Sequence, residues 1–185
     1  MKIPPLDKAV DVIKQGGIVA YPTESVYALG CDPRKLATIH RLLDIKQRAI
    51  EKGFILIAAD FEQLQPYLGP VDQTIMKKIM ATWPGAVTWL MPVADNVPPS
   101  VRGNHEGIAV RVTAHPVAAA LCRAADTALI STSANTAGKA PMRCAEDVGT
   151  ELGSLVDYVL AGDVGDAVKP TEIRDALTDE IIRSA

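Results

Sequence analysis

The chain reads as a single α/β domain built on a mixed sheet, and three observations predict it. Short apolar runs alternate with segments of helical periodicity along the whole length, with no linker, internal repeat or low-complexity run. One run, Gly53-Phe-Ile-Leu-Ile-Ala-Ala59, is too apolar to be one-sided, so it belongs inside a sheet with helices above and below. The connections between strand candidates range from short turns to whole helices, which mixes parallel with antiparallel neighbours.

Leu6, Ala9, Val10 and Ile13 fall at helical spacing, and Gly16-Gly17 stops that helix. A strand, Ile18 to Tyr21, runs into Pro22-Thr-Glu-Ser25, a strand tip with hydroxyls and one carboxylate. That tip is either an anion or amino-acid contact or ordinary turn chemistry. Val26 to Cys31 follows as a short strand or bend. Asp32 as N-cap with Pro33 at the first helical position predicts a helix burying Leu36, Ile39, Leu42, Leu43 and Ile45. Lys46 and Arg48 lie just past it, where cations suit the negative end of the helix dipole.

After the central run, Asp60 is placed to cap a helix over 61–67, with Gln63 at the capping-box position. Asp72 is placed to cap another carrying Ile75, Met76, Ile79 and Met80, ended by Trp83-Pro-Gly85. Ala86 to Pro92 is a strand, and the polar, proline-rich stretch 93–106 is long enough for a lid or binding loop. Gly107 to Val112 is a strand interrupted by Arg111. An unpaired guanidinium there is costly, so Arg111 either reaches solvent on an edge or meets an acidic partner or a ligand. Pro116 opens a helix to Ala125, and Leu129-Ile-Ser-Thr-Ser-Ala-Asn135 is a strand ending in small hydroxyl and amide groups before a loop with Gly138. The remainder is a helix over 145–152, a strand over 156–161, a turn at Gly162-Asp-Val-Gly165, and two strand-like pieces, 169–175 and 180–183.

Composition bounds the function. A chain of 185 residues buries about 70% of its unfolded surface and needs no covalent staple. Its 48% hydrophobic and 22% charged residues are those of an ordinary soluble protein, and 4% aromatics argue against base stacking as a main device. Three scattered cysteines without a CxxC pair predict a reducing compartment and idle or buried thiols. Met1 to Pro5 holds no apolar signal region and no apolar run approaches a membrane span, so the expected location is cytoplasmic. A net charge of −3 does not favour avid binding to polyanions, although Lys46-Gln-Arg48 and Lys77-Lys78 could form a local basic face.

The strand tip Ser131-Thr-Ser133 with Asn135 can hold an anion, since short polar side chains let backbone N–H groups approach a phosphate or carboxylate; it can equally be loop and cap chemistry. Ser133 to Lys139 ends Gly-Lys like a Walker loop, but Ser133 replaces the first glycine and Ala140 the last hydroxyl. Gly162-Asp-Val-Gly165 lacks the third glycine of a dinucleotide fingerprint, and Asp163 has the wrong sign for gripping RNA. The three histidines show no zinc-ligand spacing, and there is no Gly-x-Ser-x-Gly elbow. What remains is a set of hydroxyls, an amide and cations: Thr23, Lys46, Arg48, Arg111, Ser131, Ser133, Asn135, Thr171 and Arg183. Such a set suits phosphoryl or nucleotidyl transfer, where an enzyme chiefly positions reactants and neutralises spreading charge.

Tyr21-Pro-Thr-Glu-Ser, Lys46-Gln-Arg48, Trp83-Pro-Gly, Ala109-Val-Arg111, Ser131-Thr-Ser-Ala-Asn135 and Pro170-Thr-Glu-Ile-Arg-Asp175, taken in order, resemble the YrdC-like family of threonylcarbamoyl-AMP synthases over nearly the whole chain. The resemblance implies one YrdC-like domain over 1–185, an open twisted sheet with helices on both sides, and a large concave cavity. It implies that L-threonine, bicarbonate and ATP give threonylcarbamoyl-adenylate and pyrophosphate, the first step toward N6-threonylcarbamoyladenosine at position 37 of tRNA. Carried over by residue, it places threonine at Thr23, Arg111, Ser131 and Thr171, and ATP at Lys46, Arg48, Ser133, Asn135, Pro141 and Arg183, with Lys46 and Arg48 as the catalytic pair on the phosphates. Mg²⁺ is expected to arrive on ATP and not in a protein cage. The product is expected to pass to a tRNA threonylcarbamoyl-transferase complex, with weak tRNA binding left open and no membrane partner. Ala49 stands where the family commonly has proline, and the chain matches the short form without a C-terminal extension domain. Two other classes compete: a non-catalytic RNA-binding or ribosome-maturation module of the same fold, and an enzyme handling carbamoyl phosphate through a related domain.

Overall fold

Period-two alternation along the strands decides this architecture, because each strand must satisfy two different layers. The computed structural model describes residues 2–184, so Met1 and Ala185, the ends of the expected domain, lie outside the described residues. In chain order the elements are α1 (Asp7–Lys14), β1 (Val19–Pro22), β2 (Tyr27–Gly30), α2 (Leu36–Lys46), β3 (Ile55–Ala58), α3 (Gln73–Met80), β4 (Val87–Pro92), α4 (Pro99–Arg102), β5 (Gly107–Val112), α5 (Pro116–Ala125), β6 (Leu129–Ser133), α6 (Ala145–Leu152), β7 (Tyr158–Val159), β8 (Glu172–Asp175) and β9 (Ile181–Arg183). The strands form one open sheet in the order β7-β1-β2-β6-β3-β5-β4-β8-β9. Pairing is mixed, as expected: β1–β7, β3–β5 and β4–β8 run parallel and the other neighbours antiparallel.

One face of the sheet carries Ile18, Ala20, Leu29, Leu56, Val110, Ile130 and Trp89 against Ile39 and Leu42 of α2, Ile79 of α3, and Val148 and Leu152 of α6. The other face packs Val19, Tyr21, Ile57 and Leu129 against Ala9, Val10 and Ile13 of α1 and Val117, Leu121 and Cys122 of α5. Fully burying one such side chain contributes about 1.5–3 kcal/mol. On this second face, the stretch of sheet that carries Ala28, Ile55, Ser133 and Ser131 forms the floor of a cavity. Helices thus lie on both sides, as expected of the 53–59 run, but only part of the second face is covered.

Several local expectations change. Asp32 does not cap α2: its carboxylate accepts bonds from the Arg34 backbone N–H (2.9 Å), Nε (2.9 Å) and Nη2 (2.8 Å). The helix therefore begins at Leu36 without a side-chain cap, and Leu36, expected inside, stands 51% exposed. The buried stripe becomes Ile39, Leu42, Leu43 and Lys46, spaced i, i+3, i+4, i+7, which carries Lys46 inward. Residues 61–67 form no helix, only a 3-10 turn at Gln65–Tyr67, because Pro66 has no N–H to extend one. Asp60 still bonds the Gln63 N–H at 3.1 Å. Met80 lies at the C-terminal end of α3 and is 45% exposed.

The 93–106 stretch is not a free lid. Val97 and Val101 are buried, Val101 O accepts the Phe54 N–H at 2.8 Å, and Glu51 O accepts the Asn104 N–H at 3.0 Å. Gly53 and Gly103 face each other at positive φ (56° and 71°), and a Cβ on Gly53 would lie 2.6 Å from the Arg102 carbonyl, so the two segments lock back to back. The 156–161 strand shrinks to Tyr158–Val159 beside β1. All three cysteines are free; burial pushes the Cys31 and Cys122 thiols up to about 12, which leaves them unreactive.

Candidate functional site

Ile130 of β6 enters one core, so its neighbours Ser131 and Ser133 must point to the opposite face. Register places Ser131 opposite Ile55 and Ser133 opposite Ala28. Arg111 sits opposite Ile57, on the same face. The resulting cavity of about 240 Å³ is lined by eight of the ten residues singled out above: Thr23, Arg48, Arg111, Ser131, Ser133, Pro141, Thr171 and Arg183. Ser25, a hydroxyl of the Pro22–Ser25 tip, also lines it, as does Phe54, which was not foreseen. A neighbouring hollow of about 200 Å³ shares Arg48, Phe54, Ile55 and Arg183 and adds Lys52, Arg102 and His105.

Arg111 meets an acidic partner and lies far from any edge, since β5 runs between β3 and β4. Its Nη2 donates to Glu24 Oε2 at 3.1 Å, and Nη1 to Thr171 Oγ1 at 2.9 Å and Thr88 Oγ1 at 3.3 Å. Its Nε is buried without a partner. Leaving such a donor unpaired costs about 1–3 kcal/mol. Glu24 Oε1 accepts from Thr113 Oγ1 at 2.6 Å and from the Ala114 N–H at 3.3 Å. Burial alone would raise the Glu24 carboxyl, but Arg111 and the Thr113 hydroxyl outweigh it and hold the group below the usual carboxylate range. Glu24 was visible only as the one acid on the Pro22–Ser25 tip; the signal that selects it is Arg111, an interior cation that requires a counter-charge.

Thr23 serves both roles that its position allows. Its Oγ1 donates to Val26 O at 2.6 Å, closing the strand-tip turn, and the residue lines the cavity. Arg48 leaves α2 through Gln47, whose left-handed backbone (φ 45°) ends the helix. The Arg48 guanidinium lies over the Phe54 ring at 5.5 Å and donates to Gly53 O at 2.9 Å. Arg183 reaches in from β9 and donates to Thr171 O at 2.7 Å. Three guanidiniums thus line a hollow whose lining holds no carboxylate, a combination that attracts phosphate and carboxylate ligands.

Lys46 and Asn135 are not brought into that lining. Lys46 Nζ donates to Ser133 O (2.6 Å), Asn135 O (2.6 Å) and Asn135 Oδ1 (2.7 Å). Asn135 Nδ2 donates to Lys139 O at 2.7 Å, and the residue borders a separate hollow whose acids, Glu146, Asp147 and Glu151, repel phosphate.

Among the described residues, the cavity lining holds hydroxyls but no carboxylate, histidine, cysteine or lysine to serve as a base. The Tyr21 phenol is driven up by burial, and the His115 ring is pushed down by burial and held as the cap of α5. A divalent cation would find no carboxylate in this lining. Fold and site together define an α/β protein with an arginine-lined hollow on an uncovered part of its sheet, a setting that suits small anionic ligands.

The chain belongs to the Sua5/YciO/YrdC family. The family model Sua5_yciO_yrdC, described as Telomere recombination, matches residues 11–185. A protein from Nitrosococcus oceani named Threonylcarbamoyl-AMP synthase is 51% identical over 175 residues, covering 95% of each chain. The structure of P. abyssi Sua5 complexed with L-threonine is similar at a TM-score of 0.84 and 27% identity, over 90% of this chain and 49% of that one. E. coli YciO is similar at a TM-score of 0.83 and 29% identity, over 96% of this chain and 87% of that one.

Proposed function

We propose that this chain is a threonylcarbamoyl-AMP synthase. The observation that carries it is the cavity that Arg111, Arg48 and Arg183 share with Ser131, Ser133 and Thr171, with no carboxylate in its lining. The names of the relatives and the threonine bound in the similar Sua5 structure support the same assignment.

Threonine lies with its carboxylate toward the Arg111 guanidinium, and with Thr23, Ser131 and Thr171 around it. ATP lies along Ser133, Pro141, Arg48 and Arg183, and Mg²⁺ enters on its phosphates. The threonine amine adds to bicarbonate and releases water, giving an N-carboxylate. One oxygen of that carboxylate attacks the α-phosphorus of ATP, the α–β bridging bond breaks, and pyrophosphate leaves with its charge matched by Arg48 and Arg183. The adenylate passes to a tRNA threonylcarbamoyl-transferase complex in the cytoplasm for use at adenosine 37 of tRNA.

The test is pyrophosphate release from purified protein with MgATP. Release that requires both threonine and bicarbonate supports the synthase. Release with carbamoyl phosphate in place of bicarbonate, or salt-sensitive RNA binding without turnover, overturns it.

A further inference from the structure

Lys46 stands apart from the other cations. Its ammonium has three N–H donors, and all three are occupied by oxygens of the Ser133–Asn135 corner at 2.6–2.7 Å. The residue is 7% exposed and faces no carboxylate among these contacts. A phosphate could gain a bond from Lys46 only by breaking one already made.

These contacts also fix hydrogen-bond polarity further along. An ammonium can only donate, so the Asn135 amide must turn Oδ1 toward it, and Nδ2 then donates to Thr136 O and Lys139 O. Ser133 Oγ lies 2.6 Å from the same Oδ1, which can only accept, so the Ser133 hydroxyl proton is committed to Asn135. Ser133 therefore shows its lone pairs to the cavity.

We propose that Lys46 is a positioning residue for nucleotide binding: it holds the Ser133–Asn135 corner so that Ser133 accepts a bond from a hydroxyl or N–H of the nucleotide ligand, and it does not itself ligate the β- and γ-phosphates. The proposal rests on the synthase assignment for the identity of the ligand. It predicts that Lys46 matters equally to nucleotides with and without a triphosphate, because its effect is transmitted through Ser133.

The experiment measures ATP and AMP affinity calorimetrically for the wild type, Lys46→Met, Asn135→Ala, Ser133→Ala and the Lys46→Met/Ser133→Ala pair, with thermal melts to establish folding. Lys46→Met is expected to weaken ATP and AMP by the same factor, about tenfold or more for the loss of charge-assisted bonds. In the Ser133→Ala background the same change should weaken AMP far less, which a general structural role would not produce. If Lys46→Met does not fold, Asn135→Ala, which leaves two of the three Lys46 bonds in place, is expected to weaken both nucleotides equally. Weakening confined to ATP, or an equal Lys46→Met effect with and without Ser133, overturns the proposal. Absence of threonine-dependent pyrophosphate release by the wild type would instead overturn the synthase assignment, with the ATP-to-AMP comparison still decisive for Lys46.

Discussion

Glu24 and Arg111, 87 positions apart in the chain, join at 3.1 Å beneath the cavity, and each is nearly closed off from solvent. Removing one partner leaves the other charge buried and alone. Glu24→Ala is therefore expected to cost about 3–5 kcal/mol of stability, measured by urea unfolding. Glu24→Gln keeps the shape and loses the charge; it should fold, and it should raise the threonine KM about tenfold, since Arg111 is then held by weaker bonds. An unchanged KM in a folded Glu24→Gln protein would separate Glu24 from threonine binding.

Acid should act through the same pair. The folded Glu24 carboxyl lies below its ordinary value of 4.5, so the unfolded chain takes up the proton first as the pH falls. Its stabilising contribution is full above pH 4.5 and disappears as the pH drops through the folded value. Melting temperature plotted against pH should show a steeper decline below 4.5 in the wild type than in Glu24→Gln.

Arg48→Ala should separate turnover from folding. The side chain is half-buried and its bonds go to the Gly53 and Lys52 carbonyls, so the melting temperature should shift by only a few degrees, about the effect of 1 kcal/mol. Turnover should fall about 100-fold or more, the scale of removing one fixed charge from a site of phosphoryl chemistry. Near-normal rates of pyrophosphate release would remove Arg48 from the phosphate role.

Alkaline pH should move activity and stability in opposite directions. Burial, with the nearby Arg48 charge, pushes the Lys46 ammonium down to about 8. Between about 8 and the ordinary value of 10.5 the folded chain holds fewer protons than the unfolded chain, so folding gains stability as the pH rises. Over the same window the neutral amine loses one of its three donors, the Ser133–Asn135 corner loosens, and AMP should bind more weakly. Urea unfolding and AMP titration from pH 7.5 to about 10 check both signs.

The elements most legible in the sequence were those where burial and period agreed. The 53–59 run lies in the middle of the sheet, and Ser131, Ser133 and Arg111 share a face as an alternating strand requires. Failures came where a local signal was used for something else. Asp32 has the residue type of a cap, but Arg34, two positions on, occupies its carboxylate. The length of 93–106 suggested a lid or binding loop, whereas Val97 and Val101 anchor it in the core so that it is no free lid. Lys46 was legible as part of a Lys-x-Arg pair; its direction was not, because the true start of α2 decides which side of the helix it occupies. The Arg111 to Glu24 pairing and the Arg143 clamp on Ser25 O at 2.6 Å depend on long-range folding that no local pattern records.

On the uncovered stretch of the sheet, β6 turns Ile130 into the core while Ser131 and Ser133 line the cavity on the other face. Ser131 and Ser133 can change without disturbing Ile130, and Ile130 can change without entering the cavity. Changes of ligand preference made through Ser131 and Ser133 should accordingly spare heat tolerance among descendants of this chain, whereas changes at the Glu24–Arg111 pair should alter both.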